Sequence, residues 1–153
     1  MTDEPSTKQT VTRTVPVSAE RIFAVLVDPS RHPEIDGSGM VRRAATTERV
    51  TKVGDVFTME MHQDAFGDYQ ADNHIVVLEF NQKIAWAPAG AGGDPIGHVW
   101  AWELTTDGQS TIVSHSYDWS GVTDEALLAV LNFPRVSSDQ MAMTIAKLGA
   151  AAT

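Results

Sequence analysis

The sequence predicts an α+β fold in which helices and strands are segregated along the chain. Three observations carry the prediction. Apolar residues recur at helical spacing only just after the first strand and again beyond residue 123. Between Met40 and Asp118 the spacing becomes two, the period of a half-buried strand. Within that stretch Asp107-Gly108 separates two alternating runs, the mark of a tight hairpin. The resulting order is a strand, helices, a run of about six antiparallel strands and a final helix, which is an α+β arrangement.

Residues 1–9 are rich in Thr, Asp, Glu, Ser and Lys and read as a disordered lead-in, with the folded unit spanning 10–153. Thr10–Val17 alternates Val11, Val15 and Val17 and reads as a strand. Ser18 caps a helix to about Asp28, with Val17 and Ile22 placed as a hydrophobic staple and Glu20 in the first turn. Ile22, Phe23, Leu26 and Val27 give it one buried face, and Pro29 ends it. A short helical turn fits Pro29–Ile35, before the flexible Asp36-Gly37-Ser38-Gly39. Strands follow at Met40–Arg49 and Val56–Gln63, then, after a turn at Phe66-Gly67-Asp68, at Tyr69–Phe80. Asn81-Gln82 turns into a strand at Lys83–Ala87, and Pro88–Gly97 is a Gly- and Ala-rich loop expected to gate a cavity mouth. In the hairpin, a turn at Asp107-Gly108 pairs Leu104 with Thr111, Trp102 with Val113, Trp100 with His115 and His98 with Tyr117. Thr123–Leu131 forms a short helix stopped by Asn132-Phe133-Pro134. Ser137 with Gln140 three residues on makes a capping box, and Met141, Ile145 and Leu148 repeat along one face of the last helix.

The chain has 153 residues, 42% hydrophobic and 20% charged, which suits one globular domain. Its formal charge of −9, with 11 scattered Lys and Arg, excludes a nucleic-acid surface and a polybasic lipid anchor. Without cysteine there is no disulfide, thiolate metal site or thiol nucleophile. The polar N-terminus has no signal-peptide core, and no run of about eighteen apolar residues occurs. No stable membrane insertion and a cytoplasmic location are the expectations.

Three passages resemble the START-like superfamily, also called the polyketide cyclase/dehydrase and lipid transport family. The first is Val15-Pro16-Val17-Ser18-Ala19-Glu20-Arg21-Ile22-Phe23-Ala24-Val25-Leu26 with Asp28-Pro29 and His32-Pro33-Glu34. The second is the hairpin from Trp100 to Trp119, and the third is the helix from Ser137. The resemblance implies a helix-grip fold, a curved antiparallel sheet wrapped around the long C-terminal helix with a cavity between them. Members include lipid carriers, plant hormone-binding and pollen-allergen proteins, aromatase/cyclases and co-chaperone-like domains. The Thr123–Leu131 helix departs from many small members and is placed to cover a cavity mouth.

The hairpin face is the chemically informative one. His98, Trp100, Trp102, Val113, His115 and Tyr117 share it, and an ordinary core face rarely holds two imidazoles and a phenol, because each demands a partner when buried. An aromatic-lined pocket with a few polar groups suits the set. Phe57, Met59 and Met61 continue the face on a neighbouring strand, and Met141 and Ile145 supply the helix side. The pairs His62/Asp64, His32/Glu34 and His115/Asp118 match no metal-site spacing, and solvated or capping roles suit them better. Gly90-Ala91-Gly92-Gly93 is no phosphate loop, and Ser38 lacks the spacing of a nucleophile elbow. No catalytic, cofactor or metal motif is present. The sequence therefore favours binding of a hydrophobic or amphipathic small molecule, lipid-like, polyketide-like or aromatic. A cyclase/aromatase-type enzyme using His98, His115 or Tyr117 and a protein-interaction module stay open beside it.

Overall fold

In the computed structural model, which describes residues 6–65, 67–131 and 133–153, seven antiparallel strands form one curved sheet. The strands are β1 (Lys8–Val15), β2 (Val41–Ala44), β3 (Val56–Gln63), β4 (Gly67–Glu79), β5 (Lys83–Gly90), β6 (Val99–Asp107) and β7 (Ser110–Asp118). They lie in the order β1-β7-β6-β5-β4-β3-β2, so every neighbour but one is also the next in sequence. The exception is β1, which reaches across to pair with β7, Val11 opposite His115 and Val15 opposite Thr111. Between β1 and β2 the chain forms α1 (Ala19–Leu26), a 3₁₀ turn at Pro29–Arg31 and α2 (His32–Ile35). After β7 come α3 (Glu125–Val130) and α4 (Ser138–Ala151). No helix among the described residues is long and apolar enough to cross a membrane.

Local chemistry accounts for the ends of these elements. The Ser18 hydroxyl accepts the Arg21 amide at 3.3 Å, and Asp28 caps the 3₁₀ turn. At α4 the capping box is complete: Ser137 Oγ accepts the Gln140 amide at 3.1 Å and Gln140 Oε1 accepts the Ser137 amide at 2.9 Å. Helix α4 packs on β1, α2 and α1, and buries Met141, Ile145 and Leu148. Those three close the core against Ile22, Phe23, Leu26 and the inward face of the sheet.

Several boundaries differ from the sequence expectation. β1 starts at Lys8 rather than Thr10, and residues 1–5 of the expected lead-in lie outside the described residues. So do Phe66 of the expected turn into β4 and Asn132 of the stop after α3. β2 ends at Ala44 instead of Arg49, because Ala45 and Thr46 both donate to Thr58 O and turn the chain off the sheet. β5 runs on to Gly90, so Pro88–Gly90 belong to the sheet and not to the loop. Pro88 is tolerated because β5 pairs with β6 only through Trp86; beyond it the strand has one partner.

The hairpin register also differs. Gly108-Gln109 form the two-residue turn and Asp107 pairs with Ser110, since Gly108 (φ 65°) takes the first loop position, the Gly-X order that tight hairpins favour. Trp100 thus opposes Tyr117, Trp102 opposes His115 and Leu104 opposes Val113. The slip is two residues, an even number, so each side chain keeps the face expected of it.

Candidate functional site

A cavity of about 490 Å³ lies between the inward face of the sheet and the helices α2 and α4. It receives side chains from β3 to β7, from α2 and α4, and from the segments before β6 and α4. Of the residues singled out in the sequence, Phe57, Met59, Met61, His98, Trp100, Trp102, His115, Tyr117 and Met141 line it. Val113 and Ile145 do not; both are fully buried in the core. Periodicity put them on the right faces, but not at the right depth.

The sheet arranges the lining in cross-strand rows. Trp86, Trp100 and Tyr117 form one row across β5, β6 and β7, and Trp102 faces His115 in the next. Rings of adjacent strands stack: Trp102 on His115 with centroids 3.6 Å apart, Trp100 on Tyr117 at 4.1 Å, and Trp100 on His115 at 5.3 Å. A second aromatic group joins His32, Phe57 and Trp86, with the His32 ring stacked on Trp86 at 5.4 Å. His32 corrects the solvated half of the expected solvated or capping role: it is buried, and its ring caps the last carbonyl of α1. It is 6% exposed, and its Nε2 sits 2.8 Å from Leu26 O. Of the other pairs weighed as metal ligands, His62 does meet Asp64, through Nε2 at 3.3 Å, but it bonds Asp68 through Nδ1 on the other edge of the ring, so the three face no common point. Among the described residues no three His, Cys, Asp or Glu come together as a metal site.

Two histidines of the wall are held neutral. Burial pushes His115 down to about 4, and its Nδ1–H donates to Ala101 O at 3.1 Å, which leaves Nε2 as an acceptor. Burial, and then the positive charge of Arg135, push His98 down to about 4. His98 Nδ1 lies 2.6 Å from the Tyr117 hydroxyl, whose pKa burial drives well above the usual phenol range. Both groups are uncharged near neutral pH and carry two hydrogens between them, one N–H and one O–H. Their mutual bond uses one. Whichever tautomer His98 adopts, the pair keeps one hydrogen to donate to a neighbour.

Sequence reasoning missed His32, Tyr69, Asn73, Trp86, Ile96 and Arg135 among the lining residues. Trp86 had a legible signal, the alternation Ile84-Trp86-Pro88 on a strand beside Trp100. Tyr69 and Asn73 alternate in step with Ala71 on β4. Arg135 lies in the segment between α3 and α4, where no period marks a face; its Nη2 donates to Gln63 Oε1. The loop after β5 is anchored at both ends. The Gly92 amide donates to Asp72 at 2.8 Å, and Gly97 presses its backbone against Gly121.

No protein-family model matches the sequence. Rv0088, an uncharacterised protein of Mycobacterium tuberculosis, is 30% identical over 146 residues, covering 90% of this chain and 62% of that protein. The chain thus spans less than two thirds of that relative's length. Among solved structures, StfQ, the di-domain ARO/CYC of the steffimycin biosynthetic pathway, superposes with a TM-score of 0.69 at 16% identity, over 95% of this chain and 50% of that one. The major latex-like protein 151 of Panax ginseng superposes with a TM-score of 0.64 at 15% identity, over 94% and 95% of the two chains. The fold is the START-like helix-grip fold.

Proposed function

We propose that this chain binds an amphipathic small molecule between the sheet and α4, apolar along most of its body and polar at one end. The observation that carries the reading is a cavity of about 490 Å³, within the range typical of small-molecule sites, whose walls are largely aromatic and methionine side chains and which holds the hydrogen-bonded pair His98 and Tyr117. A core built only for stability would be filled, because a void forfeits contacts on all its walls. The test uses the neutral apolar fluorophore N-phenyl-1-naphthylamine. One molecule should bind per chain and quench emission from Trp100 and Trp102, and Ala71→Phe, which fills the cavity from β4, should abolish binding. Absence of binding by both fluorescence and calorimetry removes the reading.

A second reading is an enzyme of the cyclase type, favoured by the 2.6 Å contact of His98 and Tyr117 and by the likeness in fold to an ARO/CYC protein. Here the pair would take a proton from the carbon next to a carbonyl held in the cavity, or give one to a carbonyl oxygen. A linear poly-β-ketone thioester mimic should then close to an aromatic product faster with wild type than with Tyr117→Phe, followed by ultraviolet absorbance. Equal rates with and without protein exclude it.

A further inference from the structure

We infer that the molecule taken by this cavity carries a planar aromatic ring system, which lies between Trp86 of β5 and Trp100 of β6 with one indole on each of its faces. This rests on the small-molecule reading above and narrows the ligand class to flat rings, as against acyl chains or saturated rings. Trp86 and Trp100 stand directly opposite each other on adjacent strands near the middle of the sheet, and both side chains reach the cavity. Opposed residues have Cβ atoms about 4.5–5.5 Å apart, so two large rings in such a pair ordinarily pack on each other. These two do not. Among the described residues no ring contact joins them, and each indole is engaged on its far side. Trp86 leans across β4, where its ring stacks on His32 of α2 at 5.4 Å and meets Phe57 of β3 nearly at right angles, 5.3 Å away. Trp100 leans the other way, over β7, stacked on Tyr117 at 4.1 Å and on His115 at 5.3 Å. The two indoles therefore splay apart, and a slot that widens with distance from the sheet opens between their inner faces.

Burial follows the same geometry. The preceding pair on that face, Ile84 and Trp102, is sealed, at 0% and 2% exposed. Trp86 and Trp100 point to the same side of the sheet, yet both keep part of their surface accessible. Theirs is also the last pair between these strands. Past it β5 stays with β4 alone, so no further cross-strand pair closes the slot at that end. An empty gap between two aromatic faces forfeits the dispersion contacts of both. A flat ring restores both at once, each as an offset stack worth roughly two- to tenfold in affinity beyond the area it buries. A saturated chain or puckered ring fills the space without making the stacks, because it is thicker and has no quadrupole to set against the indoles. An onium ion is drawn to indole faces as well, but the sites that hold one enclose it in a cage of rings, whereas two faces splaying from one pair make a wedge.

Three probes separate the possibilities: 2-naphthol, decahydro-2-naphthol and tetramethylammonium. The first two share a carbon skeleton and a hydroxyl but are flat and puckered, and the third is a cation. Calorimetry with the intact chain should give 2-naphthol a roughly five- to hundredfold advantage over its saturated counterpart, the worth of two stacks, although the saturated ring is the more hydrophobic. Ring protons of bound 2-naphthol should shift upfield in proton NMR, as protons held over indole faces do. Trp86→Leu and Trp100→Leu, with the fold checked by circular dichroism, should weaken 2-naphthol by more than decahydro-2-naphthol, each closing roughly two- to tenfold of the gap between them. Equal wild-type affinities for the two alcohols overturn the inference whether or not either variant folds, and so does tetramethylammonium binding as tightly as 2-naphthol. If N-phenyl-1-naphthylamine binds and no preference for the flat alcohol appears, this inference alone fails. If neither that probe nor either alcohol binds, the small-molecule reading fails with it.

Discussion

His115 makes stability depend on pH in a way that a single substitution can isolate. The ring is 4% exposed, stacked on Trp102 and flanked by Trp100, and burial brings its pKa from an ordinary 6.5 down to about 4. Folding thus favours the neutral ring. Below its ordinary value the unfolded chain binds the extra proton, so stability falls as the pH drops from about 6.5 toward 4. For the pKa pair of 6.5 and about 4, linkage gives a loss of about 2 kcal/mol between about pH 7.5 and pH 5. His98 and His32 are also lowered by burial and steepen the same limb. The depressed carboxylates Asp55, Glu60, Asp72 and Asp118 act lower, losing their contribution as pH falls below the usual carboxylate range. His115→Phe keeps a ring in the stack and deletes both the titration and the bond to Ala101 O. Urea unfolding should therefore show the variant about 1 kcal/mol less stable than wild type near pH 7.5, from the lost hydrogen bond. Near pH 5 the difference should vanish or reverse. Parallel stability curves for the two proteins over this range would refute a neutral, buried His115.

What the sequence made legible divides along physical lines. Elements set by neighbouring residues could be read directly: the capping box at Ser137, the strand Val56–Gln63, and the alternation that turns Trp100, Trp102, His115 and Tyr117 inward. Register depended on which two residues made the turn, and Asp107-Gly108 and Gly108-Gln109 both contain the glycine that a turn needs. The face survived because the two choices differ by an even step. Depth was illegible. Val113 and His115 share a face of β7, yet one is core and the other lines the cavity, a distinction set by where α4 crosses the sheet. Arg135 was beyond sequence reasoning for the same reason. Only the fold brings a residue from the segment before α4 into the same cavity wall as Tyr69 of β4 and His98 before β6.

Two further outcomes bear on the site and its frame. Tyr117→Phe removes one member of the hydrogen-bonded pair, so it should weaken binding of a polar-headed ligand roughly two- to tenfold in calorimetry and leave a hydrocarbon of similar size unaffected; equal losses for both would assign Tyr117 to packing alone. Gly97→Ala tests how the loop between β5 and β6 is pinned. Gly97 sits at φ 121°, a conformation that side chains rarely adopt, and a Cβ there would lie 2.2 Å from Gly121 O. That atom is backbone and cannot rotate away, and a Cβ on Gly121 would likewise meet Gly97 O at 2.6 Å, so the two segments need glycine on both sides. The substitution should cost about 1–3 kcal/mol in urea unfolding, from backbone strain with the overlap added. The crossing adjoins His98, so probe affinity should fall with stability. Gly90→Ala, which meets no neighbouring atom and has an ordinary φ, is the matched control for stability; because Gly90 lines the cavity, it does not serve for affinity. A Gly97→Ala protein within about 0.5 kcal/mol of wild type, the range of a neutral surface change, and with unchanged affinity would mean that the loop is free to move away and that the crossing does not hold the cavity's polar end in place.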